Sequence, residues 1–133
     1  MHSDAAWAWF SRQEDGSFFF CRFTQLGLLR LLATSAVMGK DVLTIGQAWK
    51  VYDRWLEDSR VEMRREVSEL DAAFRAATRP VSRLSSPKAL GDRYLLAASQ
   101  VTDSTLVTFD QGLASACHKA RHPVALLEPR RLA

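Results

Sequence analysis

Cysteine is scarce in this sequence of 133 residues: there are two, Cys21 and Cys117, in unrelated surroundings. No disulfide framework can be built from them, so a reducing cytoplasm is the expected setting. Cys21 lies in an apolar run and is expected to be a small buried hydrophobe. No apolar run approaches the ~20 residues of a membrane span, so no membrane association is expected. The opening residues lack the basic start and unbroken apolar stretch of an export signal. The six glycines form no phosphate-cradling loop, which counts against a small-molecule phosphate enzyme. His2, His118 and His122 have no zinc-like spacing with either cysteine. No serine sits in a nucleophile-elbow context, and there is no internal repeat or low-complexity tract.

What is present is an ordinary globular balance, 47% hydrophobic and 25% charged, long enough for one domain with a core. The formal charge of +3 tolerates an anionic partner without demanding one. Periodicity predicts helices over residues 3–12, 25–33, 45–58, 68–78, 90–101 and 113–119. Thr24 and Thr44 are read as N-caps of the second and third of these. Short runs rich in aromatic and β-branched residues predict strands at 18–21, 60–64, 106–109 and 123–127. Residues 78–88, with Pro80, Pro87, Arg79 and Arg83, read as a mobile basic loop. Strands alternating with helices imply an α/β fold, a parallel sheet covered by helices on both faces. The chain opens on a helix, whereas such domains usually open on a strand.

The stretch Thr105-Leu106-Val107-Thr108-Phe109-Asp110-Gln111-Gly112 carries the first chemical signal. Asp110 stands where a buried strand ends, and in open parallel sheets ligands bind just beyond the strands' carboxyl ends. Gly112 is read as permitting a tight turn into the next helix. From these eight residues alone, a turn aspartate capping that helix is the stronger reading. Asp92 adds a second signal. It is read in the first turn of the helix leading into the Asp110 strand, and a helix start and the following strand end share one sheet edge. The helix dipole alone explains an exposed Asp92. Two carboxylates on one edge also make a minimal site for a hard cation, since Mg²⁺ is bound through one or two carboxylates with waters and substrate phosphates. Arg30, set among leucines, is expected to need a carboxylate or carbonyl partner. Arg12, Arg22, Arg30, Arg79, Arg83 and Lys88 are candidates to line a phosphate-holding groove, although each alone reads as a solvated surface residue. Ser85-Ser86-Pro87-Lys88 reads as a polar loop rather than a catalytic Ser–Lys pair.

Three motifs in order resemble the PIN-domain family, and more narrowly the VapC-type toxins of bacterial toxin–antitoxin pairs. They are Cys21-Arg22-Phe23-Thr24-Gln25-Leu26-Gly27-Leu28-Leu29-Arg30-Leu31-Leu32, then Ser86-Pro87-Lys88 leading to Asp92-Arg93-Tyr94-Leu95-Leu96-Ala97, then Leu106-Val107-Thr108-Phe109-Asp110-Gln111-Gly112-Leu113. The opening from His2 to Phe10 is similar to a family segment as well. The resemblance implies a three-layer α/β/α domain and a type II toxin that hydrolyses RNA phosphodiesters with Mg²⁺ or Mn²⁺. It implies that Asp92 and Asp110 are catalytic metal ligands, with Thr24, Gln25 and Arg30 lining the pocket. It also implies a VapB-like antitoxin partner and a homodimer formed through apolar helices near Leu26–Leu32 and Trp49–Leu56. Two departures stand out. Gln25, or in the alternative register Gly27, occupies a position that often carries an acid in the family. The family's first strand, with its central acid, has no counterpart, so residues 1–133 are expected to be one N-terminally truncated PIN-like domain whose natural start lies upstream of Met1. The alternative is an inactive PIN-like module that binds RNA or an antitoxin.

Overall fold

A computed structural model describes Arg12 and residues 18–127 of the chain. The expected helix over residues 3–12 and the His2–Phe10 segment fall, apart from Arg12, outside the described residues. The chain divides into two compact units, one of Arg12–Glu66 and one containing the chain from Val67 onward.

In the first unit, β1 (Phe18–Phe20) pairs in parallel with β2 (Val61–Met63), Phe18 opposite Val61 and Phe20 opposite Met63. Between them run α1 (Arg22–Leu32), the short α2 (Ser35–Met38), a 3-10 turn over Gly39–Asp41, and α3 (Ile45–Leu56). Thr44 caps α3 as its sequence predicts: its hydroxyl accepts from the Gln47 N–H at 3.2 Å, and the Gln47 carboxamide oxygen accepts from the Thr44 N–H at 3.0 Å. This reciprocal pair satisfies two donors that a helix start otherwise leaves open. The α3 stripe buries Ala48 and Tyr52. The Tyr52 ring meets Phe20 and Trp49 edge-on, at centroid distances of 5.3 and 5.9 Å.

Helix α1 starts three residues earlier than expected, with Cys21 as N-cap and Thr24 in the third helical position. The Thr24 hydroxyl turns back to the entry of the helix, accepting from the Cys21 N–H at 2.9 Å and donating to the Cys21 carbonyl at 3.0 Å. A threonine can serve a helix start from the third position as well as from the cap, which is why its presence fixed the neighbourhood of the start but not the residue. Cys21 is accordingly half-buried, not core.

The second unit holds α4 (Leu70–Thr78), a 3-10 turn over Arg79–Val81, α5 (Pro87–Val101), β3 (Leu106–Thr108), α6 (Gln111–Lys119) and β4 (Val124–Leu126). Strands β3 and β4 pair in parallel, Leu106 opposite Val124 and Thr108 opposite Leu126. Leu96 of α5 and Leu113 and Cys117 of α6 form the buried centre, with Leu95, Leu106 and Val124 packed against it. Val107, between two inward neighbours on β3, is exposed, so the strand is buried on one face only. Phe74 of α4 meets Tyr94 of α5 edge-on at 5.3 Å.

Both α5 and α6 end in the same closure. After α5, the Ser104 N–H donates to the Ser99 carbonyl at 2.9 Å and the Asp103 N–H to Gln100 at 3.2 Å. After α6, the His122 N–H donates to Cys117 at 2.8 Å and the Arg121 N–H to His118 at 3.0 Å. This double bond pattern requires a left-handed residue just past the helix, and Asp103 (φ 51°) and Arg121 (φ 57°) supply it without glycine. The fold is therefore α/β as its alternation predicts. Each strand pair is parallel, and each is joined by helical crossovers.

Candidate active site

Ser86 and Pro87 determine where the site's first element begins. The Ser86 hydroxyl accepts from the Ala89 N–H at 3.1 Å, and Pro87 occupies the first helical position, where its missing N–H costs nothing. Helix α5 thus begins three residues before its expected start. The register shift has two consequences. Lys88 belongs to the first turn of α5, not to the basic loop. Asp92 moves into the second turn, beyond the reach of the helix dipole, so the dipole no longer accounts for it.

Asp110 follows β3 and is the N-cap of α6. Its Oδ1 accepts from the Leu113 N–H at 3.0 Å, and its own N–H donates to the Thr108 hydroxyl at 3.0 Å. The capping reading is therefore correct for one oxygen. The other, Oδ2, accepts from Lys88 Nζ at 2.6 Å. The same ammonium donates to Asp92 Oδ2 at 2.9 Å. Two carboxylates from separate elements thus converge on one positive centre. The Lys88 ammonium, followed by the Leu113 N–H, holds the Asp110 carboxyl below its ordinary range. The two carboxylates, Asp110 before Asp92, push the Lys88 ammonium up.

Gly112 is helical, not a turn residue, and its lack of a side chain matters for another reason. A Cβ there would stand 3.1 Å from Asp110 Oδ1 and 4.0 Å from Lys88 Nζ. Glycine lets the carboxylate lie against the backbone of α6. Beneath the cluster, Leu96, Leu113 and Cys117 anchor α5 and α6 to one core, so both acids stand on packed elements rather than on loops. Burial pushes the Cys117 thiol up, which makes it a packing residue and not a nucleophile.

Thr24, Gln25 and Arg30 all lie on α1 of the first unit. The Thr24 hydroxyl is engaged with the Cys21 backbone. Gln25 is buried, and its carboxamide oxygen accepts from the Arg22 guanidinium. Arg30 is exposed, so water solvates its charge and the expected buried partner is not needed. A leucine-rich helix can turn one position to solvent while its other positions pack, and composition alone does not show which. In the second unit, His118 is exposed in the last turn of α6. Arg79 and Arg83 are exposed around the segment ahead of α5. The participant missed by reading the sequence as a loop is Lys88 in its pairing role. The Ser86-Pro87 helix-start signal, with Lys88 and Asp92 four apart, was the clue that could have found it.

The chain is 36% identical over 115 residues to the protein named Ribonuclease VapC41 in Mycobacterium tuberculosis, in both strain CDC 1551 / Oshkosh and strain ATCC 25618 / H37Rv. The match covers 83% of this chain and 77% of the relative. The chain belongs to the VapC ribonuclease family. No general family profile matches it, so membership rests on these relatives. The resemblance drawn from three short motifs thus extends to most of this VapC-family chain.

Proposed function

We propose that this chain is a metal-dependent endoribonuclease toxin of a type II toxin–antitoxin pair, a single PIN-like domain working in the cytoplasm. Asp92 and Asp110 would hold Mg²⁺ or Mn²⁺. The observation that carries this reading is the sharing of one positive centre by Asp92 Oδ2 and Asp110 Oδ2, at 2.9 and 2.6 Å. The donor set suits the ion: hard carboxylate oxygens, few in number, on packed elements. Among the described residues no group of three or more His, Cys, Asp or Glu side chains gathers to hold a metal. Two protein carboxylates with the remaining positions left to water and phosphate is how Mg²⁺ is commonly held. When bound, such an ion lowers the pKa of a water and neutralises charge developing on the phosphate. The chain's own part is to fix the acids. The α6 cap locks Asp110 through Oδ1 and leaves Oδ2 outward. The core under α5 holds Asp92. Exposed Arg79 and Arg83 offer phosphate contacts, which position RNA without reading its sequence.

The partners follow from the family reading: RNA as substrate, a VapB-like antitoxin, and a second copy of the chain. The packed helices α1 and α3 expose Phe23, Leu26, Ile45 and Trp49, and these exposed apolar side chains support burial against another chain.

The test is cleavage of a labelled RNA with Mg²⁺ or Mn²⁺ supplied. Asp110→Asn and Asp92→Asn should each lower the rate on the order of 10²-fold or more, the scale of losing a preorganised electrostatic contact. Asparagine still caps α6, so Asp110→Asn should fold. Cleavage that survives Asp110→Asn, or RNA binding without cleavage under either metal, would overturn the reading.

A further inference from the structure

We propose that Lys88 is a built-in competitor for the cation site: its ammonium bridges Asp92 and Asp110 and must leave before a divalent ion can share both carboxylates. The inference rests on the metal-site reading above and adds a restraint on when that site can fill.

Geometry puts the lysine in the way. Nζ lies 2.6 Å from Asp110 Oδ2 and 2.9 Å from Asp92 Oδ2. Asp110 Oδ1 is committed to the α6 cap and cannot swing over to replace Oδ2. An ion and the ammonium would therefore contend for Asp110 Oδ2 and for the space between the two carboxylates.

The placement of Lys88 has no explanation in helix stability. It sits in the first turn of α5, the positive end of the helix dipole, where a cation is disfavoured. Its pairing with Asp92 runs lysine-first, the weaker order for an i,i+4 pair. A residue that breaks two local rules at one position is expected where function outweighs stability. Its role in the metal-free protein is to separate the charges of two carboxylates that would otherwise repel each other.

The restraint is releasable. The Lys88 side chain is 65% exposed, so its stem is free to turn into solvent. Exposed pairs with lysine are weak because water screens them and the long side chain loses entropy when held. A lysine is also a point charge with no fork to grip a carboxylate by both oxygens. The contact is strong enough to hold the acids together and weak enough for a doubly charged ion to displace.

The experiment is calorimetric Mn²⁺ binding, without RNA, to the full chain and to Lys88→Met, Lys88→Arg and Asp110→Asn. Lys88→Met should bind Mn²⁺ about tenfold more tightly, the scale of losing two weak exposed pairs. Lys88→Arg, which keeps the charge, should bind no more tightly than the parent. Asp110→Asn should lose binding. If Asp110→Asn binds as the parent does, the metal-site reading fails and the competitor falls with it. If Asp110→Asn loses binding while Lys88→Met binds no better than the parent, the competitor alone is overturned. A measurement on the unmutated chain guards against a variant that misfolds. The NMR signal of the Lys88 ε-carbon should shift when diamagnetic Mg²⁺ saturates the protein, and a signal that does not move refutes displacement.

Discussion

At the turn before β2, Asp58 is held by one arginine; at the head of α5, two aspartates share one lysine. Asp58 Oδ1 accepts from the Arg60 N–H at 2.9 Å and from Arg60 Nε at 3.0 Å, and Oδ2 accepts from the guanidinium at 2.7 Å. These bonds, the guanidinium's first, bring the Asp58 carboxyl down to about 2. Both carboxylate oxygens are used, and the partner is two residues away, so the arrangement is local and closed. At the α5 cluster each acid gives one oxygen to an exposed ammonium, and Lys88 and Asp110 are 22 residues apart in the chain. The difference lies in the cation. A guanidinium fork fills both oxygens of a carboxylate, whereas an ammonium takes one oxygen from each of several. A lowered carboxyl pKa alone would rank the two regions alike. The geometry separates a turn lock closed on one arginine from an acid pair bridged by an exposed ammonium.

The largest expected effect tests what each region stands on. Leu96→Ala empties the centre of the core beneath α5 and α6 and should cost about 2–5 kcal/mol in denaturant unfolding. The Asp58 turn lies in the other unit and is built from its own hydrogen bonds. A loss below about 1 kcal/mol would mean the acids do not rest on that core.

The acid limb of the stability curve tests the turn lock. A carboxyl held down to about 2 from its usual 3.8 adds stability that is complete above the usual value and fades as the pH falls toward 2. Asp58→Asn should therefore flatten the stability–pH curve between about 4 and 2 while leaving RNA cleavage at neutral pH within about twofold. A loss of cleavage as large as that expected for Asp110→Asn would erase the distinction between the two regions.

Gly112→Ala should act on the open cluster alone. A methyl 3.1 Å from Asp110 Oδ1 obliges the carboxylate to shift by a few tenths of an ångström. Mn²⁺ binding should weaken several-fold, with a stability change below about 1 kcal/mol. Unchanged Mn²⁺ binding would show that the cap tolerates the shift and that Asp110 is held less tightly than its two bonds suggest.

The smallest effect is at the end of α6. Arg121 holds a left-handed φ of 57°, which costs a residue with a side chain roughly 1 kcal/mol and glycine little. Arg121→Gly should raise the thermal midpoint slightly without touching cleavage. Lower stability would mean the arginine side chain makes a compensating contact.

Most of the elements were legible before the structure. Thr44 announced α3, the Phe18–Phe20 run announced β1, and β-branched residues marked β3. The misses fall at helix starts and at single exposures. Thr24 was read as a cap and is the third helical residue. Pro87 and Lys88 were read as loop and open α5. Arg30 was expected to be paired and is solvated. In each case a local signal was present but compatible with neighbouring registers, and packing chose among them. Gly112 shows the same limit, because a glycine looks alike whether it serves a turn or makes room for a carboxylate.

The order of residues by itself determined the alternation of strand and helix, the parallel pairing that short helical crossovers require, and the position of Asp110 at the end of a strand. These follow from periodicity and local hydrogen bonding, which operate over a few residues. The tertiary structure alone decided that Asp92, Asp110 and Lys88 meet at one point, with Asp110 capping α6 through one oxygen and paired with Lys88 through the other. That meeting depends on α5 and α6 being clamped through Leu96, Leu113 and Cys117. It joins residues 22 apart, beyond the span over which any local pattern carries information.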